Sequence, residues 1–157
     1  MLRNKNLVNQ AFQFEEAGYF SEASQICQEI LVDNPDDGDA LHLLGILCNN
    51  LGRYHQAVIF FERSLLVLGQ TPALLHNYAV ALQGLDFLDK ASKILRLTIA
   101  LDPKKIESRL RLGEIEFTKE NWLNAKKIFK KVLVFDPDNI EALNFLGITY
   151  RRLKSLM

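Results

Sequence analysis

A period of 34 residues governs this chain. Small residues recur at Ala11, Gly45, Ala79, Gly113 and Gly147, each 34 positions after the last. A second series runs through Ala23, Ala57, Ala91 and Ala125, and a third through Pro35, Gly69, Pro103 and Pro137. Three series in register, with no insertion or deletion, mean that one supersecondary unit is repeated. A single such unit cannot bury its apolar faces, so neighbouring units must stack. A scaffold of this kind displays a surface more readily than it builds a catalytic centre.

Residues 72–105 show the unit most plainly. Apolar residues at 74, 75, 78, 79, 82 and 85 are three and four apart, the spacing of one helix face. Asp86 interrupts the stripe, and Leu88, Ala91, Ile94, Leu95, Thr98 and Leu101 resume it. Asp102-Pro103 then stops the second helix, because proline lacks an amide donor and disfavours helix in the residue before it. The pattern predicts two antiparallel helices per unit. Two helices cross closely only where side chains are small. The Gly/Ala series on the first helix therefore meets the alanine series on the second, with Cys27, Phe61, Leu95 and Phe129 as large plugs between. Gly18 and Gly52 suit helix C-termini. Asp86 and Glu120 stand at the same place in later units and predict tighter turns there.

These residues carry a family resemblance. Leu44-Gly45, Ala57 and Phe61, and again Leu112-Gly113, Ala125, Phe129 and Pro137, match the tetratricopeptide-repeat (TPR) pattern, and the chain resembles that family over residues 4–157. It departs where the family's first-helix Trp stands (Leu7, Leu41, Leu75, Arg109 and Leu143). At the first-helix Tyr it has Phe14, Cys48, Leu82 and Glu116, with the tyrosine kept at Tyr150. The resemblance implies an all-α fold, a right-handed superhelix (α-solenoid) of antiparallel helix pairs in one domain, 1–157. Complete repeats are expected at 4–37, 38–71, 72–105 and 106–139, with an incomplete fifth over 140–157. Leu146 and Tyr150 of that fifth repeat have no second helix to cover them. Fraying or self-association is expected at this open end, and a natural chain that continues past Met157.

The resemblance further implies that first helices line a concave groove. In this chain the candidate partner-binding residues are Val8, Asn9 and Phe12 in the first repeat and His42, Ile46 and Asn49 in the second. His76, Asn77, Val80 and Gln83 follow in the third, and Leu110, Arg111 and Glu114 in the fourth. Phe12, Ile46 and Val80 form an apolar stripe with polar neighbours, the composition of a binding surface. The family's site for chaperone C-terminal carboxylates is matched at Asn77 and Arg111 but not at Ile46 or Glu107, and Glu107 would repel a carboxylate. The Asn-lined groove of sugar-transferring enzymes is matched at Asn9 and Asn77 but not at Leu43, Arg111 or Phe145.

Nothing in the chain points to chemistry. There is no nucleophile elbow, phosphate loop, dinucleotide fingerprint or HExxH, so catalytic residues and cofactors are both expected to be none. His42 and His76 occupy equivalent places, but two imidazoles without a third ligand make a poor metal site, and no metal is expected. Cys27 and Cys48 lie on apolar faces as small hydrophobes, which fits a reducing, cytoplasmic setting. Asp102-Pro103 and Asp136-Pro137 are helix stops.

Formal net charge is zero, yet residues 1–78 carry 4 basic and 9 acidic side chains and residues 79–157 carry 15 and 10. Lys126, Lys127, Lys130 and Lys131 share one helix, either as a solvated convex face or as a seat for an anionic partner. The absence of interleaved aromatic residues speaks against nucleic acid. No apolar run approaches the ~20 residues of a membrane helix. The expected partner is a protein or peptide. The expected function is a non-catalytic scaffold, with a recruiting arm of a larger enzyme such as a glycosyltransferase, or a secretion chaperone, as alternatives.

Overall fold

The structure, a computed structural model, describes residues 2–156, with side chains from Asn4 onward. Among the described residues there are nine α-helices and no strand. They are α1 (Leu2–Glu16), α2 (Phe20–Asp33), α3 (Gly38–Asn50), α4 (Tyr54–Leu68), α5 (Pro72–Gly84), α6 (Leu88–Leu101), α7 (Ile106–Thr118), α8 (Trp122–Phe135) and α9 (Ile140–Ser155). The odd-numbered helices are the first helices of the 34-residue units and the even-numbered ones the second. The residues gather into two compact units, Met1–Phe87 and Leu88–Met157.

Helix starts follow capping chemistry. Asp37, Thr71 and Asn139 each accept a hydrogen bond from the amide three residues on, at Ala40, Leu74 and Ala142. Each satisfies one of the orphan donors of a first turn. Pro72 follows Thr71 at the start of α5, where its missing donor costs nothing.

The turns inside the repeats correct the sequence reading. Gly18 and Gly52 adopt positive φ, and so do Asp86 (φ 63) and Glu120 (φ 59). All four turns close with the same pair of backbone bonds. At Glu120 these are Glu120 N–H to Phe117 C=O (3.0 Å) and Asn121 N–H to Glu116 C=O (2.8 Å). At Gly52 they are Gly52 N–H to Asn49 C=O (2.9 Å) and Arg53 N–H to Cys48 C=O (2.8 Å). The Asp86 and Glu120 turns are therefore not tighter. One left-handed cap geometry recurs at all four turns, and at Asp86 and Glu120 a non-glycine residue bears its steric cost.

Packing within each unit explains the small-residue series. A Cβ placed on Gly45 would come within 2.4 Å of the Phe61 ring, and one on Gly113 within 2.6 Å of the Phe129 ring. Phe61 and Phe129 are fully buried. In the first unit, Val8, Ala11, Cys27, Ile30, Leu43 and Leu47 belong to one core. In the second, Leu110, Ala125, Phe129, Val132 and Ala142 form another, where Phe145 stacks on Phe129 with centroids 5.1 Å apart. Gly147 differs from its counterparts, because nothing lies within 4 Å of a Cβ added there. Leu143 and Tyr150 on the same helix are 48% and 43% exposed. The Lys126 ammonium lies 4.8 Å from the centre of the Tyr150 ring, a cation–π contact.

Candidate functional site

Ten of the thirteen groove candidates lie in the first unit, on α1, α3 and α5. Helix α3 packs against both α1 and α5, so the three share a face. The 34-residue period places Phe12, Ile46 and Val80 at one register position on these helices, and all three are half-buried. Phe12 and Ile46 rest on the core below and keep part of their surface outward. Asn9 is exposed, and Asn49, His76, Asn77 and Gln83 are half-buried. Val8 is 6% exposed, so it supports the face from beneath instead of lining it.

His42 is 9% exposed, deeper than its place beside the stripe suggested. Its ring meets Phe12 edge-on at 6.5 Å and Phe61 at 5.9 Å. Its Nε2 lies 3.0 Å from Asn77 Nδ2. Donation by the Asn77 amide requires the imidazole proton on Nδ1. Burial pushes the His42 pKa down to about 4, so the ring is neutral near pH 7. Asn49 Nδ2 in turn donates to the Asn77 backbone carbonyl at 2.9 Å. His42, Asn77 and Asn49 thus form a hydrogen-bonded run that ties α3 to α5 under the stripe. Asn49 Oδ1 is buried with no donor opposite it.

The remaining three candidates stand on α7 in the second unit. Leu110 is 9% exposed and belongs to the core there. Arg111 is exposed, and its Nη1 donates to Glu114 Oε2 at 3.0 Å, one turn along the helix.

A second feature in this unit escaped sequence reading. Arg96 and Ile99 of α6, Arg109 and Leu112 of α7, and Asn124, Lys127, Ile128 and Lys131 of α8 surround a cavity of about 250 Å³. The α8 lysines were evident as a helical cluster. The signal for Arg96 lay in the 34-residue register, which brings second-helix positions of adjacent repeats to one groove; Arg109 enters from the first helix between them, at the family's tryptophan position. Nearby, Glu116 occupies the family's tyrosine position as a buried carboxylate. It accepts from Arg96 Nη2 at 2.9 Å, Asn121 Nδ2 at 3.0 Å and Asn124 Nδ2 at 3.4 Å.

Cys27 is buried, and desolvation, with the Asp37 charge adding to it, pushes its thiol up to about 12. Burial also raises the half-buried Cys48 thiol. At Cys48 the nearby Arg53 charge acts against that rise, and at Cys27 no cation does. Among the described residues no group of three or more His, Cys, Asp or Glu side chains is placed to hold a metal ion, and no helix is long and apolar enough to cross a membrane.

The tetratricopeptide-repeat family model matches residues 38–67. Human protein O-mannosyl-transferase TMTC3 is 25% identical over 155 residues, which is 96% of this chain and 17% of that protein. The BBSome complex member BBS4 of Bos taurus is 26% identical over 144 residues, 92% of this chain and 28% of that one. The chain thus spans between a sixth and a third of the length of these relatives. Among solved structures, YrrB, a TPR protein with an unusual peptide-binding site, superposes with a TM-score of 0.79 at 20% identity. The match covers 94% of this chain and 76% of YrrB. A double mutant of MamA superposes at 0.83 with 22% identity, covering 95% and 84% of the two chains.

Proposed function

The chain is a tetratricopeptide-repeat protein, and on that premise we propose that it is a non-catalytic scaffold that holds a peptide segment of a partner protein on the α1–α3–α5 face. One observation carries this reading. Phe12, Ile46 and Val80 keep apolar surface outward at one register position on three successive first helices. Meanwhile His42, Asn77 and Asn49 bind one another underneath. The polar groups hold the helices in place, and the apolar stripe is left to meet a ligand. Exposed Asn9 flanks the stripe and suits the backbone of an extended segment. YrrB, with its peptide-binding site, supports this by likeness of fold alone.

The test is a partner captured on the immobilised protein, reduced to its binding segment and titrated against Ile46→Ser. Truncating an anchor in a desolvated centre costs ~2 kcal/mol or more, roughly a thirtyfold loss of affinity. Because Ile46 is only half-buried, the variant should fold. Unchanged affinity for Ile46→Ser would remove the stripe from the account.

A second reading has a specific observation behind it. The alignment with TMTC3 runs along 96% of this chain. The same face would then recruit a substrate for an enzyme domain elsewhere in a longer protein. A reading frame with a transferase domain beside this segment would decide for that version.

A further inference from the structure

The cavity bounded by α6, α7 and α8 has a counterpart in the first unit. Subtracting two repeat lengths from its eight lining residues leads to Gln28, Leu31, Leu44, Gln56, Ile59 and Phe60, which line a groove of their own, and to Leu41 and Arg63, which do not. The backbone framework is shared, and the chemistry differs. Apolar positions stay apolar, with Ile99, Leu112 and Ile128 in place of Leu31, Leu44 and Phe60. Gln28 becomes Arg96, and Ile59 becomes Lys127. Arg109 and Lys131 complete four cationic residues around about 250 Å³, and no acidic residue lines the cavity. A solvated face needs no such gathering, since like charges at close quarters repel.

The cations are differently engaged. Arg96 is paired with Glu116, although its side chain remains 56% exposed. Arg109 donates through Nη2 to the Pro103 carbonyl at 2.6 Å and lies 5.2 Å from the centre of the Phe135 ring. Its Nε is buried with no acceptor among the protein atoms. A buried donor without an acceptor is costly, and a carboxylate at the accessible edge of the same guanidinium would offset part of that cost by charge. Lys127 and Lys131 are exposed at the rim.

We infer that this groove is a second binding site, distinct from the α1–α3–α5 face, which takes an acidic peptide segment with an apolar side chain among its carboxylates. The carboxylates meet Arg109, Lys127, Lys131 and the free edge of Arg96, and the apolar side chain meets Ile99, Leu112 and Ile128. A nucleic acid fits less well. No aromatic side chain lines the cavity to stack a base, and the apolar floor has no use for a phosphodiester.

The experiment uses the whole chain and a fluorescein-labelled peptide, Glu-Asp-Leu-Leu-Glu-Asp. Comparison probes are its neutral form Gln-Asn-Leu-Leu-Gln-Asn, its apolar-free form Glu-Asp-Ser-Ser-Glu-Asp, and a short oligothymidylate. The wild type should bind the first peptide saturably, more weakly as salt rises. The pair Lys127→Glu with Lys131→Glu, both at exposed positions, should weaken binding about tenfold or more. Ile46→Ser should leave it unchanged, so the two sites stand or fall separately. Absence of binding, equal affinity of the lysine variant, equal affinity of the serine peptide or tighter binding of the oligothymidylate would each overturn the assignment.

Discussion

Substituting alanine at the three glycines of one 34-residue series should change stability in opposite directions. In the interior of a helix, Gly→Ala ordinarily stabilises by up to ~1 kcal/mol. At Gly45 the new Cβ would stand 2.4, 2.6 and 2.8 Å from three atoms of the Phe61 ring. Ordinary contact demands that the ring retreat by about 1 Å. It has little room to do so, being fully buried, with His42 edge-on at 5.9 Å and Tyr78 at 6.5 Å. Overpacking of this kind costs ~1–3 kcal/mol, which outweighs the helical gain. Gly45→Ala should therefore destabilise by about 1–2 kcal/mol, with a melting point lower by roughly 2–8 °C at this chain length. Gly113→Ala, facing Phe129 at 2.6 Å, should act in the same direction. At Gly147 nothing lies within 4 Å of the added carbon, so Gly147→Ala should stabilise α9. Urea melts of the three variants, analysed by linear extrapolation, read the result directly. If Gly45→Ala proves as stable as the parent, or Gly147→Ala falls with it, the close-approach account of the series fails.

The left-handed caps give a second prediction. Glu120→Gly should stabilise by roughly 0.5–1 kcal/mol, because relief of a ~1–2 kcal/mol left-handed penalty exceeds the entropy added to the unfolded chain; a lower melting point would refute it. Asp86→Gly should gain less, since aspartate tolerates this conformation better. The third concerns His42. Its folded pKa of about 4 lies below the unfolded value near 6.5, so the unfolded chain binds the extra proton between these values. Stability held above pH 6.5 should decline as pH falls toward 4, by an amount that His42→Gln removes; equal pH profiles for parent and variant would contradict the burial argument. The fourth is an order of thiol reactivity: half-buried Cys48 should label before Cys27, which should react only on unfolding. Faster labelling of Cys27 in the folded chain would refute that order.

The helix pairs and their close crossings were legible because a 34-residue repeat reports both the period of each helix and the places where two helices touch. Gly45 and Gly113 are small for the reason the series suggested, with Phe61 and Phe129 filling the space. Periodicity reports the direction of a side chain but not its depth. Val8, His42 and Leu110 point toward the expected face yet sink into the core, because neighbouring helices close over them. The pairing of His42 with Asn77 spans adjacent repeats at the full repeat spacing plus one, and no local pattern marks it. The turns at Asp86 and Glu120 depart from the expectation because residue preference does not set their geometry: both close with the same two backbone bonds as the glycine turns.

The central claim is that ligand meets the chain on α1, α3 and α5 through the apolar stripe. Amide and methyl NMR spectra, recorded with and without the captured partner segment, test it most directly. The account predicts that the largest shifts cluster at Phe12, Ile46, Val80 and their neighbours Asn9, His76 and Gln83, and that Ile46→Ser abolishes them at the same ligand concentration. Shifts confined to other helices, with those six residues undisturbed, would contradict it.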